Sequence, residues 1–349
     1  MLHPRILSVA TGVPPYAVAQ GDVRAFVEAL FADMPRLDRY LPAFTNTCIE
    51  KRHLSQPLDW FAHEHTFPEA NALYEQVALN LITQVSRTAL ERAAIPPADI
   101  GLVVVASTTG IATPSLDSRL IQALDLSPHT ARLPIWGLGC AGGVSGLARA
   151  AELTRSLPTG QATLFVAVEL TSLTFQRNDF SKSNLIATAL FADGAAAVVL
   201  RAEDSPRPAL LASHSTLFPD SEAVMGWDII ATGLKVRFAR DIPQLVTNHL
   251  PTLVQQATCQ WGITPQHIQH YVVHPGGTKV LQAYANSLNL ANHQLALAWD
   301  VLRDFGNMSS ATVLFVLERF LQTHHPTGNY GLMLALGPGF SAEQLLFQC

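Results

Sequence analysis

Cys140 stands where an apolar run gives way to glycines and then to a helix of small residues: Leu133-Pro-Ile-Trp-Gly-Leu-Gly-Cys140-Ala-Gly-Gly-Val-Ser-Gly-Leu-Ala-Arg-Ala150. A thiol between a strand end and a helix start lies in the positive field of the helix N-terminus. That field lowers the thiol pKa and favours the thiolate, the form that attacks carbonyl carbon. The glycines allow a sharp turn and close approach of a substrate. This is the logic of the nucleophile elbow, with sulfur in place of oxygen. The bland reading of the same stretch is a buried, inert cysteine on a small-residue helix.

The elements around this elbow repeat. Residues 5–12 read as a short buried strand ending in a turn, Pro14-Pro15 breaks the chain, and residues 21–32 and 71–94 carry helical periodicity. Residues 42–68 are irregular and rich in aromatic and histidine side chains, a candidate surface flap. Beyond them the chain echoes itself at a spacing of 168 residues. Ile95-Pro-Pro97 and Ile100 ahead of Leu102-Val-Val-Val105 match Ile263-Thr-Pro265 and Ile268 ahead of Tyr271-Val-Val273. Pro158-Thr-Gly160 ahead of Leu164-Phe-Val-Ala-Val168 matches Pro326-Thr-Gly328 ahead of Leu332-Met-Leu-Ala-Leu336. A repeat this long, in the same order with the same element types, is a duplicated domain rather than a solenoid unit. The halves are expected at 1–205 and 206–349, with Arg201-Ala-Glu-Asp-Ser-Pro-Arg-Pro208 as the connection.

Duplication also supplies partners for the cysteine. The second elbow is Asp304-Phe-Gly-Asn307-Met-Ser-Ser-Ala, because Cys140 shifted by 168 residues falls within one residue of Asn307. The strand ending at Ala106 is matched by one ending at His274. Duplicated halves packed about a pseudo-two-fold axis bring equivalent helix starts together, so Cys140, His274 and Asn307 are expected to converge. A cysteine beside a histidine forms a thiolate–imidazolium pair that is nucleophilic at neutral pH. An Asn amide donates to a developing oxyanion without changing charge. Taken alone, His274 is a strand-end histidine capped by Pro275-Gly-Gly277, and Asn307 is an ordinary helix cap. Only the duplication lifts both above that background.

Composition sets the bounds. The 349 residues are 48% apolar and 14% charged, with mean hydropathy +0.21, which describes a large buried core. A net charge of −5 gives no sign of a nucleic-acid or anionic-membrane partner. No membrane span is expected, since every apolar run is broken by Gly, Pro or polar residues. Met1-Leu-His-Pro-Arg5 shows no signal-peptide pattern. Cysteines 48, 140, 259 and 349 form neither a CxxC nor a zinc spacing, so no metal site is expected, and they suit a reducing cytoplasm.

Together, Gly137-Leu-Gly-Cys140-Ala-Gly-Gly, Val273-His274-Pro-Gly-Gly-Thr-Lys279, Gly306-Asn307-Met-Ser-Ser-Ala and Leu336-Gly-Pro-Gly-Phe340 resemble the type III polyketide synthases, the chalcone synthase family of the thiolase fold. Val168-Glu-Leu-Thr-Ser-Leu-Thr174-Phe and Ala189-Leu-Phe191-Ala-Asp-Gly-Ala resemble it too, and the likeness runs from about residue 5 to the C-terminus, closer to bacterial than to plant members. The resemblance implies an α/β, five-layer αβαβα fold with mixed sheets. It implies that Cys140 carries the starter acyl group and the growing chain, that His274 and Asn307 hold the malonyl thioester carbonyl, and that His274 keeps Cys140 as thiolate. Phe191 would be the gatekeeping aromatic. Thr108, Thr174, Trp227, Val236 and Ser309 would line the cavity, with Gly337, Pro338 and Gly339 shaping its wall. Gly276, Gly277 and Lys279 would border the CoA tunnel. The substrates would be acyl-CoA and malonyl-CoA, with no cofactor, and the chain would be a cytoplasmic homodimer.

There are departures from the plant pattern. Trp227 stands where plant members have glycine, Val236 where they have phenylalanine, and Asn46 where they often place a CoA-contacting lysine. Lys51 and Arg52 are expected to keep basic character at the tunnel mouth. These changes turn the expectation away from a flavonoid starter and toward a fatty acyl starter with an alkylpyrone or alkylresorcinol product. One rival is a ketoacyl-ACP synthase III, with the same Cys-His-Asn set and a single condensation. Another is a catalytically silent thiolase-fold partner subunit; retention of all three residues argues against it.

Overall fold

The apolar runs sort by face. In the strand at 100–106, Leu102, Val104 and Ala106 join one buried cluster, while Val103 and Val105 join another. Such alternation with both faces apolar marks a sheet covered on each side. The computed structural model describes residues 2–239 and 242–349. Its strands are β1 (Pro4–Gly12), β2 (Tyr16–Ala19), β3 (Lys51–Leu54), β4 (Ile100–Ala106), β5 (Ala131–Ile135), β6 (Ala162–Leu170), β7 (Asp193–Ala202), β8 (Ala209–Leu217), β9 (Met225–Ile230), β10 (Gly233–Phe238), β11 (Ile268–Val273), β12 (Tyr330–Gly337) and β13 (Ser341–Gln348). Its helices are α1 (Gln20–Leu30), α2 (Pro42–Asn46), α3 (Leu58–Phe61), α4 (Phe67–Ala93), α5 (Leu116–Ala123), α6 (Gly142–Thr154), α7 (Lys182–Leu190), α8 (Ile242–Gln260), α9 (Thr278–Ser287), α10 (Ala296–Phe305) and α11 (Thr312–Leu321).

Nine strands make one mixed sheet in the order β11-β12-β13-β8-β1-β7-β6-β4-β5. β1 and β8 meet through a single residue pair, Arg5 with Ala209, so the sheet is two half-sheets joined at a seam. Across that seam β8 mirrors β1, β13 mirrors β7, β12 mirrors β6 and β11 mirrors β4. α6 and α11 lie between the half-sheets, α4 and α5 cover the outer face of one, and α8 and α9 cover the other. These are the five layers expected. The two central helices approach closely because α6 is rich in glycine. A Cβ on Gly143 would stand 2.2 Å from the Ser310 carbonyl oxygen. Among the described residues no helix is long and apolar enough to cross a membrane.

Two expectations need correction. The 168-residue spacing holds for β4 and β11, but it stretches to 170 at the elbows. The tight turn Gly139–Ala141 ahead of α6 is matched by Ser309–Ala311 ahead of α11, and Gly139 and Ser309 share a φ of +46°. The structural counterpart of Cys140 is therefore Ser310, and Asn307 lies three residues before it. The 42–68 segment is not a surface flap. It folds into α2, β3 and α3, and Phe44, Leu54 and Phe61 pack with Val23 and Val27 of α1 in a small core of their own. Its aromatic side chains serve burial rather than display.

Candidate active site

Cys140 lies at the mouth of α6 and is 8% exposed. Its turn is held from three sides. The Gly139 N–H donates to Thr108 Oγ1 at 3.1 Å, and the Thr108 N–H donates to Glu169 Oε2 at 2.9 Å. On the far side, a Cβ on Gly337 would meet the Leu138 carbonyl oxygen at 2.5 Å, and one on Gly139 would meet Pro338 Cδ at 2.8 Å. Only glycine permits this contact, and Gly139 also needs its left-handed φ. Glu169 is buried and also accepts from Ser310 Oγ at 2.6 Å, so one carboxyl ties the two elbows together. Burial pushes Glu169 up to about 7.

His274 follows β11, with its N–H donating to the Leu334 carbonyl at 2.8 Å. Its ring is buried, and neither ring nitrogen has a hydrogen-bond partner among the described residues. Asn307 is fixed at both ends of its amide. Nδ2 donates to the Gly276 carbonyl at 3.1 Å, and Oδ1 accepts from the Ser309 N–H at 2.8 Å. Asn307 is not the helix cap, a place taken by Met308 and Ala311; its side chain instead fixes the Ser309 turn, and its amide also hydrogen-bonds to the Cys140 sulfur. Cys140, His274 and Asn307 all border one cavity of about 470 Å³. Burial dominates its electrostatics. It pushes the Cys140 thiol up to about 12, against hydrogen bonds from Ser309 and Asn307 that favour the thiolate, while the Glu169 charge raises it further. Burial also pushes the His274 imidazole down to about 3.

Comparison with known proteins decides what this geometry belongs to. The family models for the N-terminal and C-terminal domains of chalcone and stilbene synthases match residues 5–204 and 209–349. The chain belongs to the chalcone and stilbene synthase family. It is similar to a Bacillus subtilis protein that carries a provisional chalcone synthase name, 42% identical over 98% of both chains. It is 39% identical to a 1,3,6,8-tetrahydroxynaphthalene synthase of Streptomyces peucetius, over 98% of this chain and 92% of the relative. The crystal structure of the 1,3,6,8-tetrahydroxynaphthalene synthase of Streptomyces coelicolor superposes with a TM-score of 0.94 at 29% identity, covering 99% of each chain. The chain is accordingly a type III polyketide synthase of thiolase-like fold, a malonyl-CoA-dependent condensing enzyme.

Against that family pattern the remaining side chains divide. Gly276, Gly277 and Lys279 border the Cys140 cavity. Phe191, Thr174 and Val236 border a separate apolar recess of about 60 Å³. Trp227 faces Val236 across the β9–β10 pair, and its ring lies 6.1 Å from that of Phe191. Thr108, Ser309, Gly337, Pro338 and Gly339 do not border the cavity. Thr108, Gly337 and Pro338 buttress the Cys140 turn, and Ser309 forms the second turn.

Lys51 and Arg52 are not where the sequence reading put them. Lys51 is exposed on β3, away from the cavity. Arg52 is 1% exposed; its guanidinium donates to the carbonyls of Thr188 and Phe191 at 2.6 and 2.7 Å and to Gln20. Strand alternation turns Lys51 outward and Arg52 into the protein, where it closes the C-terminal end of α7. The cations at the cavity mouth are Arg39, Lys182 and Lys279, all exposed, and no Asp or Glu borders it among the described residues. Arg39 and Lys182 were missed because neither lies in a motif. Arg39 ends a single tight turn and Lys182 opens α7 after the Ser181 cap.

Proposed function

We propose that Cys140 is the acyl carrier of this synthase, and that His274 and Asn307 form the decarboxylation site. The observation that carries this reading is the shared cavity, into which a buried thiol, an unpartnered imidazole and a locked amide all open. Proton transfer from Cys140 to His274 makes a thiolate–imidazolium pair, which attacks the starter thioester and releases CoA. Malonyl-CoA then binds with its thioester oxygen between a His274 ring N–H and the second N–H of Asn307 Nδ2. Loss of CO₂ leaves its electron pair as an enolate on that oxygen, which the two donors stabilise. The enolate carbon attacks the acyl-Cys140 carbonyl, and the Cys140 thiolate leaves. The extended chain returns to Cys140 as CoA departs, and cyclisation ends the sequence.

Arg39, Lys182 and Lys279 suit the CoA phosphates at the cavity mouth, as an exposed cationic rim without carboxylates would. For the starter we propose a fatty acyl-CoA, with an alkylpyrone or alkylresorcinol product. The lining of Leu185, Ile186, Leu190, Met225, Phe238 and Ile242 supports this choice. A panel of acyl-CoAs from acetyl to stearoyl, read by mass spectrometry, tests it; product from malonyl-CoA alone would overturn it. We also propose a homodimer built on the β5 edge, in the cytoplasm, where the four free thiols are at home.

Asn307→Ala separates the half-reactions. Removing one oxyanion donor should slow CO₂ release from labelled malonyl-CoA by about 10²–10³, with starter acylation of Cys140 largely kept. Decarboxylation at the wild-type rate would reduce Asn307 to a brace for the Ser309 turn.

A further inference from the structure

Tyr284 lies in α9 with 0% exposure and borders the same cavity as Cys140, His274 and Asn307. Its hydroxyl has no hydrogen-bond partner among the described residues. A buried hydroxyl without a partner is unfavourable, and proteins seldom keep one where phenylalanine would fill the same space. Among the described residues, the other unpartnered buried polar atoms bordering this cavity are the ring nitrogens of His274, which the proposed chemistry uses. Burial, and to a smaller extent the nearby Cys140, hold the Tyr284 phenol far above its ordinary range, so it remains an O–H donor.

The intermediates supply the matching acceptor. A simple acyl starter has one oxygen, at the thioester. Each condensation turns the previous thioester carbonyl into a keto group two carbons from the new thioester. A buried donor left facing methylenes disfavours the bound state, whereas a keto oxygen satisfies it, and sites of this kind discriminate against ligands that lack the polar group. We propose that the Tyr284 hydroxyl donates a hydrogen bond to a keto oxygen of the extended chain on Cys140, holding extended intermediates in preference to the unextended acyl group. This rests on Cys140 as the acyl carrier.

Tyr284→Phe keeps the ring and removes the donor. Wild type and variant are mixed with one acyl-CoA and malonyl-CoA, quenched over time, and weighed intact to read the masses on Cys140. Starter loading should match wild type, while extended acyl-enzyme and released product fall roughly three- to tenfold, with fewer extensions per product. kcat should drop while KM for the starter stays unchanged. With an acyl-CoA ¹³C-labelled at its carbonyl carbon, which becomes the keto carbon after one condensation, the keto carbonyl stretch of the trapped intermediate should move to higher wavenumber in the variant. Ligand-free Tyr284→Phe should melt no lower than wild type, because an unpaired hydroxyl has been removed. A lower Tm, an unchanged product pattern or an unshifted carbonyl band would each overturn the proposal. Wild-type enzyme that never acylates Cys140 would overturn the acyl-carrier reading itself.

Discussion

Burial works against each partner of the proposed Cys140–His274 pair taken singly. It holds the thiol at about 12 and the imidazole at about 3, so neither ionises alone near neutral pH. Moving one proton from sulfur to nitrogen leaves the net charge of the cavity unchanged and sets two opposite charges in a low-dielectric space, where their attraction is strong. If the two pair as proposed, His274 is what allows a thiolate at Cys140. His274→Ala leaves burial acting alone. An acid whose pKa is raised keeps its proton to higher pH, so Cys140 of the variant should be nearly inert to iodoacetamide at pH 7. Its rate should climb only as pH passes about 9 and heads toward the burial-set value. Wild-type Cys140, followed by peptide mapping, should react readily at pH 7; equal rates in the two proteins would remove His274 from the pair.

At the scale of elements, the β9–β10 hairpin packs against Phe191. Trp227 and Val236 stand opposite each other on it, and the Phe191 ring packs against Trp227 and Phe238 at 6.1 and 5.7 Å. Behind them the recess is only about 60 Å³. The indole is a large side chain packed on Phe191 from this hairpin. Trp227→Gly should change chain length or ring pattern across the acyl-CoA panel while Cys140 still takes up starter. An unchanged product profile would show that the hairpin does not limit the cavity. The opposite design governs α6 and α11, where Gly143 lets a helix backbone come against the Ser310 carbonyl and so places both elbows within reach of Glu169.

For the whole molecule, the nine-stranded sheet ends at β5, which pairs only with β4 and leaves its other edge open. Trp136, directly after it, is 52% exposed, and Ile111 nearby in the fold is 42% exposed, with Trp136 Nε1 donating to the Gly110 carbonyl. An open strand edge flanked by large apolar side chains is a liability that a second copy removes. Light scattering at micromolar concentration should give twice the chain mass, and charged substitution of Trp136 and Ile111 together should shift the protein toward monomer. A monomer mass for the unaltered chain would refute the β5 interface.

Local chemistry made much of this readable in the sequence. Apolar alternation and Pro-Thr-Gly turns locate the repeated strands, since both are written within a few residues. The glycines around Cys140 mark a turn that only a residue tolerant of positive φ can make. Ser309 adopts the same φ without being glycine, held by the Asn307 side chain, and so the second elbow was placed two residues away from where it forms. The sequence reading still reached Asn307, through its motif. What faces the cavity was decided by packing between distant segments. Arg52 and Lys51 are neighbours on one strand, yet alternation sends one into the core and the other to solvent. Arg39, Lys182 and Lys279 come from three separate elements and meet only at the cavity mouth. Tyr284 reads as one more apolar position on a helix; its hydroxyl is unpaired because the fold buries that ring at the Cys140 cavity, where none of the described residues offers it an acceptor. A side chain's type belongs to the sequence, while its partners depend on which elements the whole core brings against it.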